Sequence, residues 1–297
     1  MSADSGKPES LRRRLAQYER AIELRGLGFS VSEISRQLGV RPDMVSRWAH
    51  GQKPKRVSRY EPDLSPSADL AYVAGFYLGD GKGAGHENKV RFELADRVQL
   101  EYVSGLVAKI LGRAPKPFTR DGSFYVVDYD SVVLSDFLNK SAKWLANYLK
   151  EFKRAFLQGF FDAEGYASCQ INYDAKLINS IVVGAANTNL NYLYVMRNLL
   201  KSQGISGTIH RTNKKGGEMT IRGRTWIRRH DVYHFVVQKS KDVFEFYMRI
   251  GFRNGPKAEK LEDLIGLQKR SPSERYAWFM AHYRKEGHKW VKIRNEV

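Results

Sequence analysis

Two apolar segments of this 297-residue chain share a pattern that constrains its fold more than any other feature. Each segment places a small residue at every fourth position: Ala71, Gly75 and Gly79 in the first, and Ala155, Gly159 and Ala163 in the second. Residues four apart lie on one face of an α-helix, and a stripe of small residues lets another helix approach almost to backbone contact. The pattern therefore predicts two helices that pack closely against each other.

Each segment ends in an acid followed by a glycine, Asp80-Gly81 and Glu164-Gly165. A glycine at this point is typical of the left-handed position that ends a helix. The acids then lie at helix C-termini, where the macrodipole disfavours negative charge by about 0.3–1 kcal/mol, and they repel each other if the helices pack together. A divalent cation between them removes the conflict, and hard oxygen ligands with open positions suit Mg²⁺.

The repetition of the pattern is more informative than either copy. A single copy is explained equally well by a buried core helix with a carboxylate at its end. Two copies in phase are not, and the two acids lie 84 positions apart, which leaves room for one complete αβ repeat between them. We therefore expect an internal duplication with paired motif helices.

The two segments resemble the motifs of the LAGLIDADG homing endonuclease family, in its single-chain form with two motifs. The resemblance covers about residues 68–267, and it implies an α+β fold of pseudo-twofold duplicated αββαββα repeats with two antiparallel DNA-binding sheets. It also implies that the last acid of each motif, Asp80 and Glu164, is the catalytic and Mg²⁺-binding residue. The implied helix interface consists of Gly75, Gly79, Gly159 and Ala163.

This sequence departs from the family pattern at a few motif positions. The first aspartate of the pattern is Leu78 in the first copy and Asp162 in the second, and the first copy has Gly79 where the pattern has alanine. These positions affect helix packing, so the implied metal site remains intact. We expect Asp162 to stabilise the helix interface rather than bind metal. The family's catalytic lysine has three candidates that spacing does not separate, Lys82, Lys239 and Lys241.

The charge of the chain is that of a polyanion-binding protein. The net charge is +18 and the pI about 9.8, which favours double-stranded DNA as the partner. The excess is uneven, with +7 in residues 1–60, −1 in 61–150 and +12 in 151–297. Cys169 is the single cysteine, so no intramolecular disulfide is possible and a cytoplasmic, nucleoid-associated location is expected. We expect no membrane span and no secretory signal.

Residues 11–52 carry a separate helix-turn-helix pattern. Ser30 and Glu33 form a predicted capping box, Gly39 ends that helix, and Pro42 opens the next. The segment resembles the small trihelical DNA-binding modules of recombinases and transposases, in which the last helix enters the major groove. The residues expected to contact DNA there are Arg41, Asp43, Ser46 and Arg47. A helical hairpin for protein contact is the alternative.

The chain is accordingly divided into five predicted parts: a helix-turn-helix DNA-binding domain (1–52), a basic linker (53–67), the first repeat (68–150), the second repeat (151–267) and a C-terminal basic helical extension (268–297). The linker cations expected to contact DNA are Lys53, Lys55 and Arg56. The second repeat contains a basic β-ribbon that is expected to enter the major groove, with Gly216-Gly217 as its predicted turn. Its cations are Arg211, Lys214, Lys215, Arg222, Arg224, Arg228 and Arg229. A solvated surface loop is the alternative for this segment.

The resemblance implies a Mg²⁺-dependent endonuclease that makes a staggered double-strand break in a long duplex target. Because two motifs in one chain supply both halves of the interface, a monomer is expected. Two other functions remain open from the sequence. One is a DNA-binding regulator built on an inactive nuclease scaffold, and the other is an RNA-binding maturase that assists intron splicing.

Overall fold

The computed structural model describes residues 9–52, 62–82, 89–221, 224–287 and 289–293. The chain divides into two compact units, one of Met1–Ser65 with Lys82–Lys140 and one of Pro66–Gly81 with Ser141–Val297. The first motif helix therefore belongs to the same unit as the second motif helix. Within the described residues, no helix is long and apolar enough to span a bilayer.

The helices and strands follow the duplicated order expected from the sequence. The helices are α1 (Glu9–Gly26), α2 (Val31–Leu38), α3 (Pro42–Ala49), α4 (Ala68–Asp80), α5 (Arg97–Ile110), α6 (Val132–Leu138), α7 (Ala142–Tyr148), α8 (Lys153–Glu164), α9 (Leu190–Lys201), α10 (Ser240–Arg249), α11 (Gly255–Leu267) and α12 (Pro272–His282). The strands are β1 (Gly81–Lys82), β2 (Lys89–Leu94), β3 (Thr119–Asp121), β4 (Phe124–Asp130), β5 (Gly165–Asn172), β6 (Leu177–Asn187), β7 (Thr208–Asn213), β8 (Glu218–Ile221), β9 (Arg224–Ile227), β10 (Val232–Val237), β11 (Tyr283–Glu286) and β12 (Lys289–Lys292). From α4 to α6 the order is αββαββα, and from α8 to α10 it is the same with the β8–β9 hairpin inserted before β10. The α+β fold class is confirmed.

The N-terminal helices α1, α2 and α3 pack around a small core of their own. Ala21, Leu24, Ile34, Val45 and Trp48 are buried together there. The predicted capping box at the start of α2 is confirmed, because the Ser30 side chain and the Glu33 side chain each bond the other's backbone N–H. Residue 39 adopts a φ of +63° at the end of α2, a conformation that glycine accepts without strain.

Each repeat contains a four-stranded antiparallel sheet. The strand order is β1-β2-β4-β3 in the first sheet and β5-β6-β10-β7 in the second. Along β2 the side chains alternate, with Val90, Phe92 and Leu94 buried and the residues between them more exposed. The first sheet therefore has one face in the core and one open face, as does the second, where Val183, Ala185 and Phe235 are buried.

Helices α4 and α8 pack against each other through their glycines. A Cβ atom added to Gly75 would lie 2.9 Å from the backbone carbonyl carbon of Phe156, and one added to Gly159 would lie 2.9 Å from that of Tyr72. At position 79 an added Cβ would lie 2.5 Å from the Cβ of Ala163, so the glycine that departs from the family pattern is required by its neighbour. The two helices thus meet backbone to backbone.

The prediction that the glycine after each motif acid has a left-handed conformation is wrong. Gly81 has φ −72° and Gly165 has φ −81°, because the chain runs from each helix directly into a strand. A Cβ at either position would instead overlap the preceding turn, with Tyr77 next to Gly81 and Phe161 next to Gly165. Glycine is needed here for space and not for its backbone freedom.

The C-terminal segment is only partly helical. Helix α12 ends at His282, and the chain then forms the β11–β12 hairpin. The ring of Tyr283 stacks on Phe279 with centroids 4.7 Å apart, and its hydroxyl donates to Asp263 at 2.7 Å. Lys292 forms an ion pair with the same carboxylate at 2.8 Å. The extended conformation is therefore held by contacts with α11 and α12 that the helical periodicity of the segment did not reveal.

Candidate active site and nucleic-acid-binding surfaces

The two motif acids lie at the C-terminal ends of α4 and α8, and both are half-buried. Burial raises the pKa of Asp80 above its ordinary value, and the positive charge of Lys257 opposes this. Burial, followed by the negative charge of Asp80, raises the pKa of Glu164 to about 8. The structure therefore brings the two predicted acids close enough together for the charge of Asp80 to disfavour the ionised form of Glu164.

Asn187, at the end of β6, orients one of these acids. Its side-chain amide donates to Oε1 of Glu164 at 2.7 Å. This hydrogen bond favours the ionised form and fixes the rotation of the carboxyl group. The side-chain oxygen of Asn187 in turn accepts from the backbone N–H of Asn189 at 2.7 Å, which fixes its amide orientation.

Lys257, in the first turn of α11, carries a positive charge that acts on both motif acids. Its Nζ donates to the backbone carbonyl oxygens of Asp162 at 2.6 Å, Ala163 at 3.0 Å and Phe161 at 3.4 Å. These carbonyls form the C-terminal end of α8, where a positive charge offsets the helix dipole. The charge of Lys257 also lowers the pKa of both motif acids.

Sequence reasoning missed Lys257. The candidates proposed from the sequence lie elsewhere: Lys239 and Lys241 are exposed at the start of α10, and the side chain of Lys82 lies outside the described part of the chain. One signal was available, because Asn254 and Pro256 mark a helix start and a lysine in a first turn opposes the macrodipole. Such a lysine needs a compensating partner, which α8 supplies here.

Asp162 links three helices. Its Oδ2 accepts from the hydroxyl of Tyr72 in α4 at 2.6 Å, and its carboxylate accepts from the backbone N–H groups of Arg253 at 2.9 Å and Asn254 at 3.1 Å. Asp162 thus holds the N-terminal end of α11, while Lys257 of α11 holds the C-terminal end of α8. These contacts agree with the structural role expected for this residue.

The chemistry of the acid pair fits a hard divalent cation. Two half-buried carboxylates with raised pKa values disfavour negative charge, and a cation relieves this. Within the described residues, no group of three or more His, Cys, Asp or Glu side chains is arranged to hold a metal. Mg²⁺ is commonly held by one or two carboxylates together with water and substrate oxygens, which matches a pair of acids.

The basic ribbon of the second repeat has a different shape from the one expected. Gly216 and Gly217 do not form the tip of the hairpin, because their backbone groups pair with Arg228 and extend the β8–β9 ladder. Arg211, Lys214, Lys215 and Arg229 are exposed, and Arg211 forms a 3.3 Å ion pair with Asp231. Arg222 and the side chain of Arg224 lie outside the described residues.

The open face of the second sheet carries neutral polar side chains that the sequence analysis did not single out. Ser180 donates to Gln170 at 2.7 Å, and the Gln238 amide donates to Gln170 at 3.2 Å and to Ser180 at 3.3 Å. On the same face His234 pairs across the ladder with His210 and bonds the Tyr166 hydroxyl at 3.0 Å. Alternation along β5, β6 and β10 was the available signal, since these residues occupy alternate positions.

The open face of the first sheet is instead charged and self-paired. Arg91 lies 3.7 Å from Glu93 and 3.8 Å from Asp128, and Asp130 forms ion pairs with Lys89 at 3.8 Å and with Lys116 at 3.1 Å. Three cations and three acids therefore pair with one another on this face, whereas the matching face of the second sheet carries neutral polar side chains. The two repeats differ in their open faces more than in their fold.

The last helix of the N-terminal module exposes the side chains expected on its outer face. Asp43 accepts from Arg41 at 2.9 Å and from Arg47 at 2.7 Å, while Ser46 is half-buried. This carboxylate therefore holds both guanidinium groups beside it on the surface. The linker cations Lys53, Lys55 and Arg56 lie outside the described residues.

Comparisons with known proteins match part of the chain to a family model and most of it to a relative. Residues 151–251 match the family model described as a LAGLIDADG-like domain. The chain is 28% identical over 259 residues to an uncharacterized protein, MJ0398, of Methanocaldococcus jannaschii, which covers 82% of this chain and 90% of that protein. It is also 24% identical over 218 residues to the glutamine–fructose-6-phosphate aminotransferase of the same organism, but this covers only 18% of that longer protein.

Solved structures with a similar fold give weaker likenesses. The homing endonuclease I-DmoI in complex with DNA and Ca is 18% identical, with a TM-score of 0.43, over 67% of this chain and 98% of that one. The N-terminal LAGLIDADG domain of DUF199/WhiA is 16% identical, with a TM-score of 0.40, over 65% of this chain and 88% of that one. These similarities are too weak to carry a function to this chain.

Proposed function

From the match of residues 151–251 to the LAGLIDADG-like domain model, we propose that this chain is a LAGLIDADG protein and a site-specific endonuclease for duplex DNA. The proposed reaction is a metal-dependent, staggered double-strand break made by one chain. The observation that carries the proposal is the pair of half-buried acids, Asp80 and Glu164, at the ends of two helices in backbone contact.

In the proposed reaction Asp80 and Glu164 would hold Mg²⁺, which when bound there would lower the pKa of the attacking water and neutralise the scissile phosphate. The hydrogen bond from Asn187 favours the ionised form of the Glu164 carboxylate and holds it in one orientation, and Lys257 fixes the end of the helix that carries it. Close packing of α4 and α8 sets the separation of the two acids, so that one acid from each repeat serves each DNA strand.

The acid pair favours a nuclease over a DNA-binding regulator on an inactive scaffold. Holding the two carboxylates half-buried destabilises the folded chain, because burial raises both pKa values and the charge of Asp80 raises that of Glu164 further. A protein that only binds DNA gains nothing from this arrangement.

Three surfaces bind the duplex in this proposal. The neutral polar face of the second sheet supplies amide and hydroxyl groups, which suit base edges, and the exposed cations of the basic ribbon suit phosphates and guanine. The exposed face of α3, with Arg41 and Arg47, reads bases outside the cleaved centre. The surplus of +18 is consistent with all three.

Selective cleavage of a randomised duplex library tests the proposal. The full chain is incubated with the library and Mg²⁺, and the ends produced are sequenced. We expect one enriched sequence cut at a fixed stagger, with no cutting in EDTA and none by a chain carrying Asp80→Asn and Glu164→Gln together. Ends that are random, or that the doubly substituted chain also produces, would reject an endonuclease function at this site.

A further inference from the structure

The three-helix N-terminal module contains an open groove between α1 and the turn that joins α2 to α3. Its volume is about 790 Å³. Arg13 and Arg14 of α1 lie on one side and Arg41, the N-cap of α3, lies on the other, while Val40 and Met44 supply apolar surface. Of the residues that line the groove, Arg41 also belongs to the set expected to contact DNA bases.

The walls of this groove are fixed in position. The side-chain amide of Gln17 in α1 donates to the backbone carbonyl of Leu38 at 3.1 Å, across the space between the two walls. The Ser35 hydroxyl donates to the carbonyl of Val40 at 2.6 Å and holds the turn. The groove is therefore a formed feature of the module's fold and does not depend on a ligand to shape it.

The charge of the groove is strongly positive. Three guanidinium groups line it and no acid does. Arg13 and Arg14 are exposed, and no described residue forms an ion pair with either of them. Arg41 contacts Asp43 at 2.9 Å, but its side chain remains 79% exposed. The groove therefore presents more positive charge than its own residues neutralise.

We propose that this groove binds the sugar-phosphate backbone of duplex DNA. The inference rests on the proposed function, because it requires that the chain act on DNA. Arg13 and Arg14 are successive helical residues, so their charges point in directions about 100° apart and match a chain of phosphates better than one anion. The groove is larger than a phosphate group, and the apolar surface of Val40 and Met44 suits a deoxyribose.

Continuity with α3 supports the same occupant. Arg41 belongs both to the groove and to the exposed surface that Asp43 and Arg47 form on α3. A strand held in the groove consequently lies beside the helix proposed to read bases. Contacts of this kind fix the register of a DNA-binding helix without adding sequence preference themselves.

The salt dependence of DNA binding tests the inference in the full chain. Arg13→Ala with Arg14→Ala removes two groove charges, and Arg20→Ala with Arg25→Ala removes two charges from the same helix. The control pair suits this role because Arg20 bonds Glu23 and Arg25 bonds the carbonyl of Phe29. Affinity for a random-sequence duplex is measured from 50 to 300 mM salt by fluorescence anisotropy.

We expect the groove variant to reduce the slope of log K against log salt by about 1.8, since each phosphate contact contributes about 0.9. The control variant should keep the slope of the parent, and Arg13→Lys with Arg14→Lys should restore it. Equal slopes for the groove and control variants overturn the inference. Circular dichroism checks that each variant is folded. If the folded lysine variant loses as much of the salt slope as the alanine variant, the inference is also overturned.

The same measurements separate this inference from the proposed function. If the parent chain cleaves its selected duplex and the groove variant keeps the parental slope, only the groove inference fails. If the parent binds duplex DNA with no salt dependence and cleaves nothing, the proposed function fails, and the groove inference fails with it. A groove variant that loses affinity for double-stranded RNA but keeps its affinity for duplex DNA would assign the groove to RNA instead.

Discussion

Replacing Glu164 by glutamine should stabilise the metal-free protein at alkaline pH. Burial and the charge of Asp80 raise the pKa of this acid from 4.5 to about 8. The folded state therefore keeps a proton that the unfolded state releases between these two pH values, and stability falls as the pH rises through this window. Glutamine removes the titration while its side-chain oxygen can still accept the hydrogen bond of Asn187.

The size of the effect follows from the pKa change. Each pKa unit corresponds to about 1.4 kcal/mol. The rise of the Glu164 pKa from 4.5 to about 8 therefore corresponds to at most about 5 kcal/mol of unfolding free energy. Because Glu164 is only half-buried, solvent screening lowers the expected gain to about 1–3 kcal/mol at pH 8.5. Below pH 5 the gain should be small, since the acid is largely protonated in the folded state and only partly ionised in the unfolded one.

Thermal unfolding in the presence of EDTA at pH 5 and pH 8.5 measures this directly. At about 2–4 °C per kcal/mol, the variant should melt roughly 2–12 °C above the parent at pH 8.5. Glu151→Gln, the same change at an exposed position, should match the parent at both pH values. A Glu164 variant that behaves like this control at pH 8.5, or that gains equally at pH 5, would refute the coupling of the two acids.

Three further predictions concern other parts of the chain. Lys257→Met should lower the unfolding free energy by about 1–3 kcal/mol in thermal melts, because three carbonyls of α8 lose a charged donor. Gly75→Ala should cost more than 3 kcal/mol in the same assay because its Cβ meets backbone of Phe156, whereas Gly105→Ala, in open space on α5, should gain about 0.5–1 kcal/mol. Removing residues 1–60 should leave cleavage intact but reduce the salt slope of binding by roughly 3, for three lost phosphate contacts, and shorten the footprint at one end.

Local patterns predicted much of the fold correctly. The small-residue stripes and the capping residues Ser30 and Glu33 each depend on neighbours within a few positions. The order of elements in both repeats followed from the family resemblance that the two stripes support. The α4–α8 pairing was also predictable, because the same stripe occurs twice and each copy supplies the partner that the other requires.

The parts that failed depend on distant contacts. Lys257 lies more than 90 positions from the carbonyls it caps, so no spacing rule connects them. The backbone at Gly81 and Gly165 is set by the strands that follow and not by the helices that precede. In the C-terminal segment, contacts of Tyr283 with Phe279 and Asp263 outweigh a helical pattern. The ion pairs on the open face of the first sheet likewise depend on the register between β2 and β4, which places Arg91 opposite Asp128.

The central claim is that Asp80 and Glu164 together form the catalytic centre. The most direct test compares the parent with Asp80→Asn and with Glu164→Gln on the duplex selected from the library, in Mg²⁺, with binding and cleavage measured on the same samples. Each single variant should bind the duplex as tightly as the parent or more tightly, yet make no double-strand break and at most nick one strand. If either variant makes double-strand breaks at the parental rate, the acid pair is not the active site.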